Sequence, residues 1–310
     1  MGKFKKVLVA NRGEIAMRVF RACHDLDLNT VAIYSNEDTY AMFRTAADES
    51  YLIGENLSPL GAYLDIDRII ELAKIHHCDA IHPGYGFLSE NGDFARACEA
   101  NGIKFIGPSS KVLDMMGDKL SAKQIAIACD VPITPGTSEP LKSREEAQKL
   151  AMEFGFPVIL KAAAGGGGRG MRRCETVEEV GVNFDLVKSE ALKSFGNDDI
   201  FMEKYLVNPK HIEVQVLADE HGHVVHLYER DCSLQRRYQK VVEFTPAFSV
   251  SKETKEKLYK DAVKIAKHVG YTNAGTLEFL VDKDENYYFI EMNPRIQVEH
   301  TVTEMVTGID

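Results

Sequence analysis

Glu291, Asn293, Arg295, Gln297 and Glu299 occupy alternate positions near the end of the chain, with Met292, Ile296 and Val298 among the residues between them. Successive side chains of a strand point to opposite faces, so this spacing lines up two carboxylates, two amides and a guanidinium along one edge of an extended backbone. A half-exposed edge strand gives a similar alternation. The neighbouring run GTLEFLVD (275–282) places Glu278 inside an apolar strand, and KDEN (283–286) makes a turn back into YYFI (287–290). A carboxylate in a buried strand needs a partner. Glu278, Glu291 and Asn293 on adjacent strands supply three hard oxygen donors suited to Mg²⁺ (or Mn²⁺), completed by phosphate oxygens and water.

A second group with chemical potential lies mid-chain. A predicted strand at 156–160 leads into Lys161 and then GGGGRG (165–170). The letters match GxGxxG, but MRRC (171–174) follows where the dinucleotide fingerprint needs a helix, and no Gly-Lys-Ser/Thr closes a Walker loop. What remains is a glycine-rich hairpin tip carrying Arg169, with Lys161 at a strand end and Lys119 upstream. Such a loop can lie over a triphosphate, offering backbone N–H groups while lysines neutralise the phosphate oxygens. A plain surface hairpin has the same composition.

The elements that must position these groups are legible in part. Strands at 7–10, 31–34, 80–81 and 104–106 alternate with helices at 14–26, 68–77 and 94–100, the first carrying Ile15, Val19, Ala22 and Leu26 at helical spacing. This alternation predicts an α/β fold whose N-terminal part is a doubly wound parallel sheet. The first βα turn, NRGE (11–14), holds one glycine where a dinucleotide site needs three, which excludes NAD there.

With 310 residues, 45% of them apolar, the chain can bury a large core spread over two or three domains. A net charge of −10 gives no general attraction for nucleic acid or an anionic membrane, so a phosphate ligand needs a local cationic site. No apolar run approaches a membrane span, and the chain passes from KFKK (3–6) straight into a strand, so no signal peptide is expected. Cys23, Cys78, Cys98, Cys129, Cys174 and Cys232 show no CxxC spacing and fit reduced, packed thiols in a cytoplasmic protein. Cys232 has no obvious base beside it. His76 and His77 end a helix, His221, His223 and His226 surround a turn at 219–222, and all five are expected on the solvated surface. The run 252–267 reads as a solvated helix face.

Six segments together resemble the ATP-grasp biotin carboxylases: HPGYGFLSEN (82–91), KAAAGGGGRGM (161–171), FMEKYL (201–206), HIEVQ (211–215), ERDCSLQRR (229–237) and EMNPRIQVEH (291–300). Arg44 with YLIG (51–54), and HTVTE (300–304), resemble the pyruvate carboxylase branch more than the separate subunit of acetyl-CoA carboxylase. The resemblance implies a doubly wound N-terminal domain (1–110), a helical linker (111–132), an α+β ATP-grasp lid (133–205) and a truncated ATP-grasp C-terminal domain (206–310).

It also implies a reaction, in which ATP phosphorylates bicarbonate to carboxyphosphate and the CO₂ released is captured by N1 of biotin carried on a lysine. By the same resemblance Lys119, Lys161, Gly165, Gly166, Gly167, Gly168 and Met171 hold ATP phosphates or line their site. Glu203, Lys204 and Leu206 flank the adenine, and His211 and Gln235 contact the ribose. Glu278, Glu291 and Asn293 hold the metal. Lys240, Arg295, Gln297 and Val298 bind bicarbonate, Glu299 is the base with Arg295 and Lys240 beside it, and Tyr85 lies near biotin. The chemistry asks for such groups: bicarbonate is a poor nucleophile until deprotonated, and the resulting charge must be held by cations. Carboxyphosphate must also be kept from water, which requires a lid. Expected partners are a biotin carboxyl carrier domain and a carboxyltransferase domain of the same parent chain, and a homo-oligomer.

Two departures from the family pattern stand out. Tyr238 replaces the usual histidine after the double arginine and cannot carry its positive charge. The chain stops at Asp310, before the arginine that holds the biotin enolate, so a truncated module is expected. The rivals are another ATP-grasp carboxylate-activating ligase of the carbamoyl phosphate synthetase type and a nucleotide-binding fragment without turnover.

Overall fold

The computed structural model describes residues 4–163, 170–237 and 239–310. The apolar run near the N-terminus forms strand β1 (Lys6–Val9), followed by β2 (Asn29–Tyr34), β3 (Glu49–Leu52), β4 (Ala80–His82) and β5 (Lys104–Phe105). They make a parallel sheet ordered β3-β2-β1-β4-β5. Leu8 and Ala10 enter one apolar cluster with Val31 and Ile33, whereas Val7 and Val9 enter another with Ile15, Val19 and Phe20 of the helix Gly13–Asp25. Both faces are thus covered, which is why these strands are continuous apolar runs rather than alternating ones. The strand order reverses between β1 and β4, and the loops after them carry Asn11 and HPGYGF (82–87).

Helices Ser110–Gly117 and Lys119–Ala128 follow, joined at Asp118. The Asp118 carboxylate accepts from the Ser121 amide and caps the second helix, so Lys119 begins a helix rather than ending a loop. Next comes a three-stranded antiparallel sheet of β6 (Val158–Ala162), β7 (Met171–Cys174) and β8 (Ile200–Lys204), ordered β7-β6-β8. It is backed by helices Arg144–Phe154 and Val177–Phe195 around Val158, Leu160, Val180, Phe184 and Met202.

The third sheet, β11-β10-β9-β12-β13, is antiparallel and contains β9 (Lys210–Ala218), β10 (Val224–Arg236), β11 (Gln239–Phe244), β12 (Asn273–Val281) and β13 (Tyr287–Asn293). Its period-2 alternation is clean. Ile212, Val214 and Val216 of β9 and Leu277, Phe279 and Val281 of β12 face one core with Leu258, Ala262 and Ile265. These last belong to helix Lys252–His268, so the run expected as a solvated face is amphipathic, with its apolar side closing the sheet. Its other face is polar and presents His211, Glu213, Gln215, Thr276 and Glu278.

Two expectations are corrected here. The alternating polar series is a strand only as far as Asn293; residues 294–299 are irregular and a helix, His300–Thr307, follows. Pro294 has no N–H to continue the ladder. The alternation also inverts, since Gln297 is buried (4% exposed) while Val298 is 61% exposed. His226 is not at the turn but within β10, stacked on Tyr259 with centroids 4.3 Å apart. His76 likewise stacks on Tyr51 at 3.6 Å.

Candidate active site

The polar face of the third sheet, the linking helices and the second sheet enclose a cavity of about 1010 Å³. Thirteen residues singled out in the sequence line it: Lys119, Lys161, Met171, Glu203, His211, Lys240, Glu278, Glu291, Asn293, Arg295, Gln297, Val298 and Glu299. Gly165, Gly166, Gly167 and Gly168, and with them Arg169 and Tyr238, lie outside the described residues. Lys204, Leu206, Gln235 and Tyr85 are not among the lining residues. The Lys204 ammonium turns to the carbonyls of Gly155 (2.8 Å) and Phe156 (3.0 Å). Tyr85 donates to Glu14 on the N-terminal domain.

Glu278 and Glu291 are register partners across β12 and β13, brought opposite each other just before a bulge at Ile290. The Glu278 carboxylate accepts from His211 Nε2 (2.6 Å), Lys240 Nζ (2.9 Å), Asn293 Nδ2 (2.8 Å) and Gln297 Nε2 (3.3 Å). Gln235 Nε2 donates to His211 Nδ1 at 2.9 Å, which fixes the Nε2–H tautomer of that imidazole. Burial opposes the Glu278 charge, but His211 and Lys240 outweigh it and hold its pKa well below the ordinary value. Glu291 moves the other way, pushed up by burial and then by the Glu278 charge. The two facing carboxylates are hard oxygen donors that fit a divalent ion, whereas the Asn293 amide turns its N–H₂ to Glu278 and its oxygen to Arg295.

Lys240 is the electrostatic centre of the opposite side. Its ammonium bridges Glu213, Glu278 and Glu299, the last at 3.0 Å. Burial disfavours its charge, yet Glu278 and Glu213 raise its pKa above the usual lysine value. For Glu299, burial is more than offset by Lys240, so the carboxylate stays ionised below the ordinary range. Arg295 donates to Asn293 Oδ1 (3.0 Å) and to the Ile296 carbonyl (3.2 Å). Its buried Nε makes no hydrogen bond among the described residues, although Glu90 Oε2 is only 3.3 Å away, an ion pair without hydrogen-bond alignment. Around Glu299 the cavity thus offers the Lys240 and Arg295 cations and the Gln297 amide, an arrangement suited to holding a small oxyanion while removing its proton.

Three residues that sequence reasoning passed over complete the site. Glu213, fully buried, pairs with both Lys240 and Arg230; its signal was its place in HIEVQ, in phase with His211 and out of phase with Ile212 and Val214. Lys123 reaches Glu203, which also takes Lys161, so one buried carboxylate joins the linking helix to the second sheet. The signal there was the i, i+4 spacing of Lys119 and Lys123 on one helix face. Arg230 lies among three charged residues in a buried stretch of β10, a run no ordinary strand carries without partners. Cys232 is fully buried, with burial pushing its thiol pKa up, which fits a packed thiol.

Residues 3–113 match the family model described as biotin carboxylase, N-terminal domain, and residues 118–310 match carbamoyl-phosphate synthase L chain, ATP binding domain. The chain is 58% identical over 306 residues to the mitochondrial pyruvate carboxylase of Mus musculus, covering 99% of this chain and 26% of that protein. It thus spans about a quarter of that relative's length. Among solved structures it superposes on the biotin carboxylase domain of Hydrogenobacter thermophilus 2-oxoglutarate carboxylase, in complex with MgADP, ADP and bicarbonate. The TM-score is 0.92 at 54% identity, covering 100% of this chain and 68% of that one. The beta-gamma-ATP complex of Campylobacter jejuni biotin carboxylase gives 0.94 at 50%, covering 99% and 69%. With both modules matched in order and the whole chain superposing on biotin carboxylase domains, the chain belongs to the biotin carboxylase family of ATP-grasp enzymes.

Proposed function

We propose that this chain catalyses ATP- and bicarbonate-dependent carboxylation of biotin through carboxyphosphate, as the biotin carboxylase part of a pyruvate carboxylase. The observation that carries the reading is the Lys240 ammonium seated between Glu278 and Glu299, within the cavity that Lys119 and Lys161 also line. Lys119, Lys161 and the 165–168 glycines take the triphosphate, with Met171 beside them. Glu203, Lys204 and Leu206 serve the adenine, and His211 and Gln235 the ribose. Glu278 and Glu291, with Asn293, would hold Mg²⁺, whose charge neutralises the phosphates. Arg295, Gln297 and the Val298 backbone orient bicarbonate, and Lys240 holds its developing charge. Glu299 accepts its proton, being ionised well below neutrality. Keeping Lys161 on the second sheet and Lys119 on the linking helix lets closure of that sheet assemble the phosphate site. Tyr85 belongs to the biotin side.

The domain organisation that goes with this reading is an N-terminal domain at 1–110, a linker at 111–132, a lid at 133–205 and a C-terminal domain from 206. Partners are a biotin carboxyl carrier domain, a carboxyltransferase domain and a second copy of the chain; the Hydrogenobacter domain is described as a dimer. Pyruvate is favoured as final acceptor because the 58% identity to a pyruvate carboxylase runs along nearly the whole chain. Among the described residues no helix is long and apolar enough to cross a membrane. Six buried free thiols suit a reducing compartment, and we assign the cytoplasm. The test is ADP release measured with and without bicarbonate, and with and without free biotin. ADP release independent of bicarbonate would overturn the reading; release that needs bicarbonate but ignores biotin would point to a different carboxylate-activating ligase.

A further inference from the structure

Arg230 is 1% exposed, yet none of its donors is idle. Its Nε donates to Glu213 (2.5 Å), Nη1 to Gln215 (2.9 Å) and Thr303 (2.7 Å), and Nη2 to Gln297 (3.0 Å) and, weakly, Thr276 (3.4 Å). A guanidinium has five N–H groups and no acceptor, and here each finds an oxygen. Gln297 and Thr303 lie on either side of Glu299 in the chain, so one buried guanidinium holds side chains before and after the carboxylate that faces Lys240.

The consequence for Gln297 is directional. An amide side chain can present either its oxygen or its N–H₂ to a neighbour, and a donor-only partner removes that choice. Because Arg230 takes Gln297 Oε1, Nε2 must face the cavity, where it lies 3.3 Å from Glu278 Oε1. An oxyanion in that cavity needs a donor at this position; the flipped amide would offer a repelling oxygen. Through Glu213, which pairs with both Arg230 and Lys240, the same guanidinium also anchors the ammonium on the other side of Glu299.

We infer that Arg230 is a positioning residue for the oxyanion half of the site: it sets the amide polarity of Gln297 and the placement of Lys240 without touching either substrate. The inference deepens the reading above and rests on it for the identity of the oxyanion as bicarbonate. Arg230→Lys retains a charge for Glu213 but cannot reach Gln297 and Thr303 together. Thr303→Val removes one partner on the far side of Arg230 and leaves the Gln297 contact in place.

Both variants of the full chain are compared with the parent by thermal midpoint, KM for ATP and KM for bicarbonate in ADP release. Both should lower the midpoint, but only Arg230→Lys should raise the bicarbonate KM, by about tenfold, as expected for one misoriented buried hydrogen bond, with the ATP KM unchanged. An equal rise in Thr303→Val would show general loosening and overturn the inference. So would an Arg230→Lys protein with the parent's bicarbonate KM. Gln297→Glu gives a second arm should the lysine variant not fold. Its carboxylate still accepts from Arg230 but offers the cavity no donor, so it must reproduce the bicarbonate defect at unchanged ATP KM, and a parental bicarbonate KM there refutes the polarity argument. A parent protein whose ADP release ignores bicarbonate instead brings down the functional reading, and this inference with it.

Discussion

Glu278 and Glu291 face each other across β12 and β13, two carboxylates held in register on the same polar face of a sheet. Burial and then the Glu278 charge hold Glu291 above its ordinary pKa, whereas Glu278, itself opposed by burial, is held below by His211 and Lys240. Glu291→Gln should relieve the repulsion and raise the thermal midpoint in EDTA. It should also abolish the stabilisation conferred by Mg²⁺ and weaken MgATP binding by about tenfold or more, with metal-free nucleotide binding unaffected. Calorimetric titration with and without Mg²⁺ checks this; equal losses in both would make the carboxylate structural.

Lys240 is shared by Glu213, Glu278 and Glu299. Lys240→Met leaves three carboxylates without their common cation, so kcat for bicarbonate-dependent ADP release should fall by about 10²–10³-fold, the usual effect of deleting one preorganised charge donor. Stability should fall as well, because three buried carboxylates lose a shared cation, although Glu213 keeps Arg230 and Glu278 keeps His211. Lys240→Arg, with the charge kept, should recover the midpoint more fully than it recovers the rate. Recovery of both together would argue against a geometric role at the site.

Glu203 holds Lys123 of the linking helix and Lys161 of β6 at once. Deleting Lys123 leaves Glu203 to hold Lys161 alone and to compete harder with phosphate for that ammonium. Lys123→Met should therefore weaken ATP binding by about fivefold, the scale of one partly buried ion pair, without changing the bicarbonate KM. Adding Glu203→Gln should return part of the loss. Parental ATP affinity in the single variant would show that the pairing has no bearing on nucleotide.

Asp38 lies buried in the N-terminal domain, where Arg12 and Tyr63 donate to it and hold its pKa below the ordinary 3.8. A depressed carboxylate pKa stabilises the fold at pH values above 3.8, and that contribution is lost as the pH falls through the folded-state value. Urea midpoints measured from neutral pH downward should fall in the acid range for the parent. Asp38→Asn should start lower and show a flatter acid limb. An unchanged acid limb would mean that Asp38 is not a linked group.

The strands of the N-terminal sheet are legible because a parallel strand covered on both faces must be apolar throughout, and 7–10 and 31–34 are. The β12–β13 hairpin was legible for a similar local reason: a turn-forming KDEN separates two runs with the right alternation, so Glu278 opposite Glu291 follows from spacing and strand geometry. Past Asn293 the same reasoning failed. Pro294 ends the ladder, and the phase of burial inverts at Gln297 and Val298 through tertiary contacts that no local period encodes.

Residue types alone determined that this chain carries hard-oxygen donors, phosphate-sized cationic groups and a glycine-rich segment, because those properties reside in single side chains and their neighbours. Only the folded sheet decided that Glu213, Glu278 and Glu299 would share Lys240, and that Arg230 would spend its five donors beside Glu299. Those partners are separated by tens of residues and meet where the sheet β11-β10-β9-β12-β13 lies against the irregular segment 294–299 and the helix His300–Thr307. A buried charge is tolerated only where such distant partners converge, so its meaning is set by topology rather than by its place in the chain.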